Sequence, residues 1–132
     1  MRRFARRAVQ RIQPDWLLER KRGAVNSQFK KGVLELVVLL AVRKRDMYGY
    51  ELVEEISKVV AVNEGTVYPL LKRLTNERYF ETYLRESTEG PPRKYYHITA
   101  AGILHSDQLM REWLEFSDSI NAFVKEHGNE QG

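Results

Sequence analysis

The sequence predicts a mainly α fold carrying one small β-hairpin, and three observations support it. Apolar residues recur at helical spacing in three short segments before residue 75, alternate with polar ones between Phe80 and Ile98, and return to helical spacing after Ala100. A chain of 132 residues, 42% apolar and 30% charged, has the size of one globular domain with an appendage and is too short for a multidomain enzyme. There is no cysteine, which excludes disulfides, thiolate metal sites and cysteine nucleophiles, so the interior must hold together by packing.

The first helix starts near Gln28 and contains Val33, Leu34, Leu36, Val37, Val38, Leu39, Leu40 and Val42. It is apolar nearly all round, which implies burial on several faces. Glu35 interrupts this run, which is about half the ~20 residues needed to cross a bilayer, so no transmembrane segment is expected. Arg43, Lys44 and Arg45 suit the negative end of the helix dipole. Asp46 can cap a second helix in which Tyr48, Leu52, Val53, Ile56, Val59 and Val60 recur at helical spacing. Asn63 offers the N-cap of a third, with Val67, Leu70, Leu71 and Leu74 inward and Glu64, Thr66, Tyr68, Lys72 and Arg73 on the other face. Pro69 within it would crowd the carbonyl of Gly65 and bend the helix.

From Phe80, residues Phe80, Thr82 and Leu84 alternate with Glu81, Tyr83 and Arg85, and a second strand runs from Lys94 to Ile98. The segment between them, residues 86–92, is rich in turn formers and reads as a long hairpin tip. Tyr95 and Tyr96 point to opposite strand faces, so one belongs to the core and the other is exposed. Thr99 caps a final helix over residues 100–126, and 127–132 form a polar tail.

The charge is unevenly placed. Residues 1–31 hold ten Lys and Arg against Asp15 and Glu19, a net charge of +8, whereas the remaining 101 residues carry −4. The basicity therefore does not make the folded domain a polyanion binder; a local patch is required. Residues 1–27 read as a basic extension, either unstructured or adding nonspecific affinity for DNA or an anionic membrane. Arg2, Arg3, Arg6, Arg7 and Arg11, with Phe4, Ala8 and Ile12, also have the composition of a mitochondrial presequence, although so short an isolated helix is marginal in water. Ordered sequence is expected from near Asn26.

Three short helices followed by a hairpin is the element order of a winged helix-turn-helix, assigned to residues 28–99. In that architecture the third helix enters the major groove and the hairpin tip touches the flanking backbone. Thr66 and Tyr68 can donate to base edges or phosphates, and Lys72 and Arg73 can neutralise phosphate. Taken alone, Lys72 and Arg73 are equally the decoration of a solvated helix face. Pro91 and Pro92 stiffen the approach to Arg93 and Lys94, so two cations are presented with little entropy to lose on meeting an anion.

Four blocks in order resemble the PadR-type transcriptional regulators, named for control of phenolic acid decarboxylase. They are Gly32-Val33-Leu34-Glu35-Leu36; Met47-Tyr48-Gly49-Tyr50-Glu51-Leu52; Asn63 through Leu74, reading NEGTVYPLLKRL; and Gly90-Pro91-Pro92-Arg93-Lys94-Tyr95-Tyr96 through Thr99 and Gly102. The resemblance covers roughly Phe29 to Gly102. It implies a dimeric, ligand-responsive DNA-binding protein, usually a repressor, with the third helix and the wing on a double-stranded operator. Carried over by position, the DNA-facing residues are Glu64, Thr66, Tyr68, Lys72, Arg73, Arg93 and Lys94. One departure stands out: Arg78 occupies the place after the third helix where members commonly have glycine. If its backbone is left-handed, the side chain costs on the order of 1 kcal/mol.

In the last helix, Leu109, Trp113, Phe116, Ile120 and Phe123 are spaced 4, 3, 4 and 3, a heptad seam widened by Met110 and Leu114. So many large apolar groups need this domain's core or another subunit, and a homodimer is the expectation. A two-fold dimer would set two recognition helices about 34 Å apart and read a palindromic operator. Trp113 falls where similar multidrug-binding members line a central pocket, so it either takes a small aromatic or cationic effector or is dimer core. An enzyme is disfavoured, since His97, His105 and His127 have no paired ligand spacing and no phosphate-cradling loop is present. No cofactor or metal is expected, and the location is the cytoplasm. The rival is a protein-interaction module that uses the amphipathic last helix without sequence-specific DNA binding.

Overall fold

The computed structural model describes residues 32–128. The chain divides into two units, Met1–Val33 and Leu34–Gly132, and the second carries the domain. The extension assigned to residues 1–27 lies outside the described residues. The elements are α1 (residues 32–44), β1 (Met47–Tyr48), α2 (Gly49–Ser57), α3 (Glu64–Asn76), β2 (Phe80–Ser87), β3 (Gly90–Ile98) and α4 (Ala100–Gly128). The fold is mainly helical with a small antiparallel sheet, as the periodicities predict.

One core holds these elements. Val38, Leu39 and Val42 of α1 meet Leu52 and Ile56 of α2, Val67, Leu71 and Leu74 of α3, and Met47, Phe80, Tyr96 and Ile98 of the sheet, all buried. Each fully buried aliphatic or aromatic side chain contributes about 1.5–3 kcal/mol relative to exposure, so α1, apolar on most faces, is the natural centre. The strand order is β1-β3-β2, with Met47 opposite Tyr96 and Phe80 opposite Ile98. Alternation sends Met47, Phe80, Tyr96 and Ile98 to the core and leaves Tyr48, Tyr83 and Tyr95 on the outer face.

Four local expectations need correction. Asp46 does not cap α2, because Met47 and Tyr48 are extended and pair with β3; Tyr48 is the N-cap, and its N–H donates to Glu51 Oε1 at 3.3 Å. Extended pairing satisfies this backbone and delivers Met47 to the core, which a helical turn would not. Secondly, α2 ends at Ser57, and Val59 lies in the following turn, exposed. Consecutive β-branched residues are poor helix formers.

The hairpin tip, thirdly, is short. Pairing continues to Ser87 opposite Gly90, leaving only Thr88 and Glu89 as the turn. Between the pairs Arg85–Arg93 and Ser87–Gly90, one residue of β2 faces Pro91 and Pro92 of β3. Such a bulge tolerates residues that lack an N–H for the ladder. The last helix, finally, runs two residues past the expected end, to Gly128.

The third helix follows its sequence signals. Asn63 Oδ1 accepts from the Thr66 N–H at 3.1 Å, and Val67, Leu71 and Leu74 are buried. Pro69 sits in the second turn, where it and Gly65 are both exposed, so the carbonyl it cannot serve belongs to a solvent-facing residue. Arg78 has φ +68 and is the left-handed residue of the helix stop. Its N–H donates to the Thr75 carbonyl at 3.0 Å, and that of Tyr79 donates to the Leu74 carbonyl at 2.9 Å, a paired closure of the last turn.

Thr99 joins this stop to α4. Its hydroxyl donates to the Arg78 carbonyl at 2.8 Å and accepts from the Gly102 N–H at 3.0 Å. Gly102 is required by close approach: a Cβ there would collide with the Tyr79 carbonyl oxygen and the Ile98 side chain.

Candidate nucleic-acid interface

The outer side of α3 presents Glu64, Thr66, Tyr68, Lys72 and Arg73, all exposed and opposite the buried Val67, Leu71 and Leu74. Glu64, Tyr68 and Lys72 form one row at four-residue spacing. The Tyr68 ring lies over Gly49 at the start of α2, leaving no room for a Cβ there. Burial, with the negative charge of Glu64 next, raises the Tyr68 hydroxyl above its ordinary value, so it remains a hydrogen-bond donor. Arg73 is differently placed from Lys72: its guanidinium bonds Glu35 at 2.7 Å and Glu77 at 3.0 Å. Two carboxylates thus compensate its charge, although the guanidinium keeps further N–H donors on an exposed side chain.

Arg93 and Lys94 are adjacent on β3 and so occupy opposite faces of the wing. Arg93 lies over the Tyr48 ring, 4.5 Å from its centroid, and opposite Arg85, which lies 5.2 Å over Tyr95. Lys94 stands opposite Leu84 on the core-side face, beyond the end of the core, where Leu84 is exposed. Among the described residues, Lys72, Arg85, Arg93 and Lys94 take part in no salt bridge, so their charge is available to an anion.

Sequence reasoning missed the aromatic row on the outer sheet face. Tyr48 and Tyr95 have centroids 5.5 Å apart, and Tyr83 stacks on Tyr95 at 5.6 Å. Of the two tyrosines expected on opposite faces, Tyr96 is the core residue, and Tyr95, on the outer face, is half-buried between neighbours. The period-two placement of Tyr83 and Arg85 against Tyr95 and Arg93 contained that signal, but the register needed to see it did not. At the end of the row, Asp46 accepts from the Tyr83 hydroxyl at 2.7 Å and lies 2.9 Å from His97 Nδ1. Partial desolvation raises the Asp46 carboxyl, and the bonds from Tyr83 and His97 outweigh it, holding the group below its ordinary value.

The residues assigned to dimerisation fall into two sets. Leu109 is half-buried against this domain's own core. Phe116, Ile120 and Phe123 are 55%, 46% and 62% exposed, and Trp113 lies beside Phe116 at a centroid distance of 6.4 Å. Among the described residues, no group of three His, Cys, Asp or Glu side chains could hold a metal ion, and no helix is long and apolar enough to cross a membrane.

A three-helix unit with an exposed third helix and a cationic β-wing defines a winged helix-turn-helix DNA-binding protein. The model of the "Transcriptional regulator PadR-like family" matches residues 38–106, from the middle of α1 into α4. The chain is 38% identical to a PadR-like transcriptional regulator from Bacillus cereus, covering 74% of this chain and 96% of that one with a TM-score of 0.68. It is 37% identical to a PadR-like transcription factor from Bacteroides fragilis, over 76% and 98% of the two chains with a TM-score of 0.64. Protein X of Lysinibacillus sphaericus is 32% identical over 105 residues, 76% of this chain and 96% of that protein. The chain belongs to the PadR-like family: it is a DNA-binding transcriptional regulator and not an enzyme.

Proposed function

We propose that this regulator acts in the cytoplasm as a homodimeric, ligand-responsive repressor that binds a palindromic operator. The observation that carries the reading is the row of large apolar side chains exposed on α4, Phe116, Ile120 and Phe123, with Trp113 beside Phe116. Contiguous apolar surface of this kind marks an interface, and a two-fold axis through it brings two copies of α3 to one duplex. Glu64, Thr66, Tyr68 and Lys72 then face the groove, and Arg93 and Lys94 flank it on phosphate. Arg73, whose charge Glu35 and Glu77 already compensate, is the weakest phosphate contact of the set. Trp113 is the residue against which a flat aromatic or cationic effector stacks. Such an effector lowers operator affinity by the factor by which it prefers the dimer geometry that does not fit DNA.

Sedimentation equilibrium and footprinting on the DNA upstream of its own gene test this. The expected results are a dimer at micromolar concentration, a protected palindrome, and affinity that falls steeply with salt as phosphate counterions are released. A monomer, or a protein that protects no site, overturns the reading. Apolar protein binding insensitive to salt would favour an interaction module instead.

A further inference from the structure

Three helices meet on one carboxylate. Glu35 projects from α1 with its side chain 18% exposed; Oε1 accepts from Arg73 Nη2 at 2.7 Å, and Oε2 lies 2.7 Å from His105 Nε2. Arg73 belongs to α3 and His105 to α4. A single side chain of α1 thus ties the helix that faces DNA to the helix that carries the exposed apolar row.

Neither neighbour is loose. Glu77 holds Arg73 from a second side, and the His105 ring stacks on Tyr79 with centroids 4.2 Å apart and planes 5° from parallel. Tyr79 is the residue that closes the end of α3. The next residues of α4 are fixed to α1 by Arg43, which donates to Ser106 Oγ at 2.8 Å and Asp107 Oδ1 at 2.7 Å. Ion pairs with one partner this exposed contribute up to about 1 kcal/mol each, so their weight in stability is small. Their weight in geometry is larger, because the two oxygens of one carboxylate are committed to two different helices.

We propose that Glu35 is a positioning residue for DNA recognition: by holding Arg73 and His105 together it fixes the angle between α3 and α4, and so sets the half-site spacing that the dimer accepts. The inference rests on the dimeric DNA-binding reading above. In a two-fold dimer a tilt of α3 against α4 occurs in both copies, with opposite sense across the axis, so the distance between recognition helices changes by the sum of the two. Arg73 on this account acts chiefly through Glu35, whatever contact its remaining N–H groups make with phosphate.

The test uses a duplex that the wild-type full chain selects from a randomised library, and the same duplex with one base pair inserted or removed between its half-sites. The wild-type protein is expected to lose on the order of tenfold in affinity on either altered duplex. E35Q, whose amide has one acceptor for two partners, and H105A are expected to lose no more than about threefold, a flattened spacing preference. H105Q, which keeps a donor toward Glu35, restores most of the discrimination, a rescue that a general loss of stability does not produce.

Unchanged discrimination in E35Q and H105A overturns the proposal, as does an equal loss of affinity on all three duplexes. If E35Q does not fold, H105A against H105Q decides the question. A wild-type protein that selects no duplex overturns the dimeric DNA-binding reading and this inference with it, a result distinct from variants that keep the wild-type spacing rule.

Discussion

The two ends of α4 are one continuous helix in opposite surroundings. From Ala100 to Leu109 its inward groups are matched within the chain: Gly102 against Tyr79 and Ile98, His105 on Glu35, Ser106 on Arg43, Ile103 and Leu109 on the core. Beyond Met110 the large apolar side chains face outward. The helix has 29 residues, about 43 Å at 1.5 Å each, whereas α2 and α3 have 9 and 13. Most helical stability in proteins comes from packing an apolar face rather than from propensity, so the segment beyond Met110 gains from something to pack against. Placement at the root of the helix is decided inside the domain, whereas Phe116, Ile120 and Phe123 at its far end lie outside that core.

The strongest way to break this comparison is to spoil the far end alone. In the proposed homodimer, replacing Phe116 and Ile120 together by Asp is expected to raise the dissociation constant at least about a hundredfold, since interface anchors of this size typically contribute 2 kcal/mol or more each. Sedimentation equilibrium reads this, while circular dichroism should retain the sheet and the three short helices. Spoiling the root should do the reverse. Gly102→Val is expected to lower stability by about 3 kcal/mol through overpacking against the Tyr79 carbonyl, measured by urea unfolding.

At the junction, Arg78→Gly removes a side chain from a left-handed backbone at φ +68 and is expected to raise stability by about 1 kcal/mol. A thermal melt that shows no gain would count against strain at this stop.

The smallest effect sharpens the role of Glu35. Burial raises its carboxyl, but the hydrogen bonds from His105 and Arg73 outweigh that and hold it below the ordinary value of 4.5. A carboxylate lowered on folding stabilises the native state fully above its unfolded value and ceases to do so as pH falls through its folded value. The wild-type protein should therefore melt above Glu35→Gln near neutral pH, by less than about 1 kcal/mol in stability, with the gap closing below the value at which Glu35 takes up its proton. Paired melts across that range check this, and a gap that ignores pH would assign it to packing.

Much of the fold was legible because its signals are local. The N-cap at Asn63, the stripe Val67, Leu71 and Leu74, the change of period at Phe80 and the left-handed risk at Arg78 each involve a few consecutive residues. The start of the second helix is not legible in the sequence, because Met47 and Tyr48 answer to partners almost fifty residues away, Tyr96 and Tyr95. The wing tip is not legible either, because two prolines signal a loop locally, whereas a bulge houses them beside a continuing ladder. On the candidate interface, helix period told which residues of α3 turn outward. It could not show that Arg73 is already engaged with Glu35 and Glu77, or that Arg93 and Lys94 stand on opposite faces among different neighbours.

By itself, the sequence determined the four helices and the hairpin in their order, the outward face of α3, the cationic shoulder of the wing and the apolar seam of α4, but not the short strand β1, because periodicity and capping are properties of neighbouring residues. Tertiary structure alone decided which charges are compensated and which are free: Glu35 finds Arg73 and His105 across separations of 38 and 70 residues, while Lys72, Arg85, Arg93 and Lys94 find no acid among the described residues. Coulomb attraction and hydrogen bonding act through space at a few ångströms, and only the folded chain sets those distances.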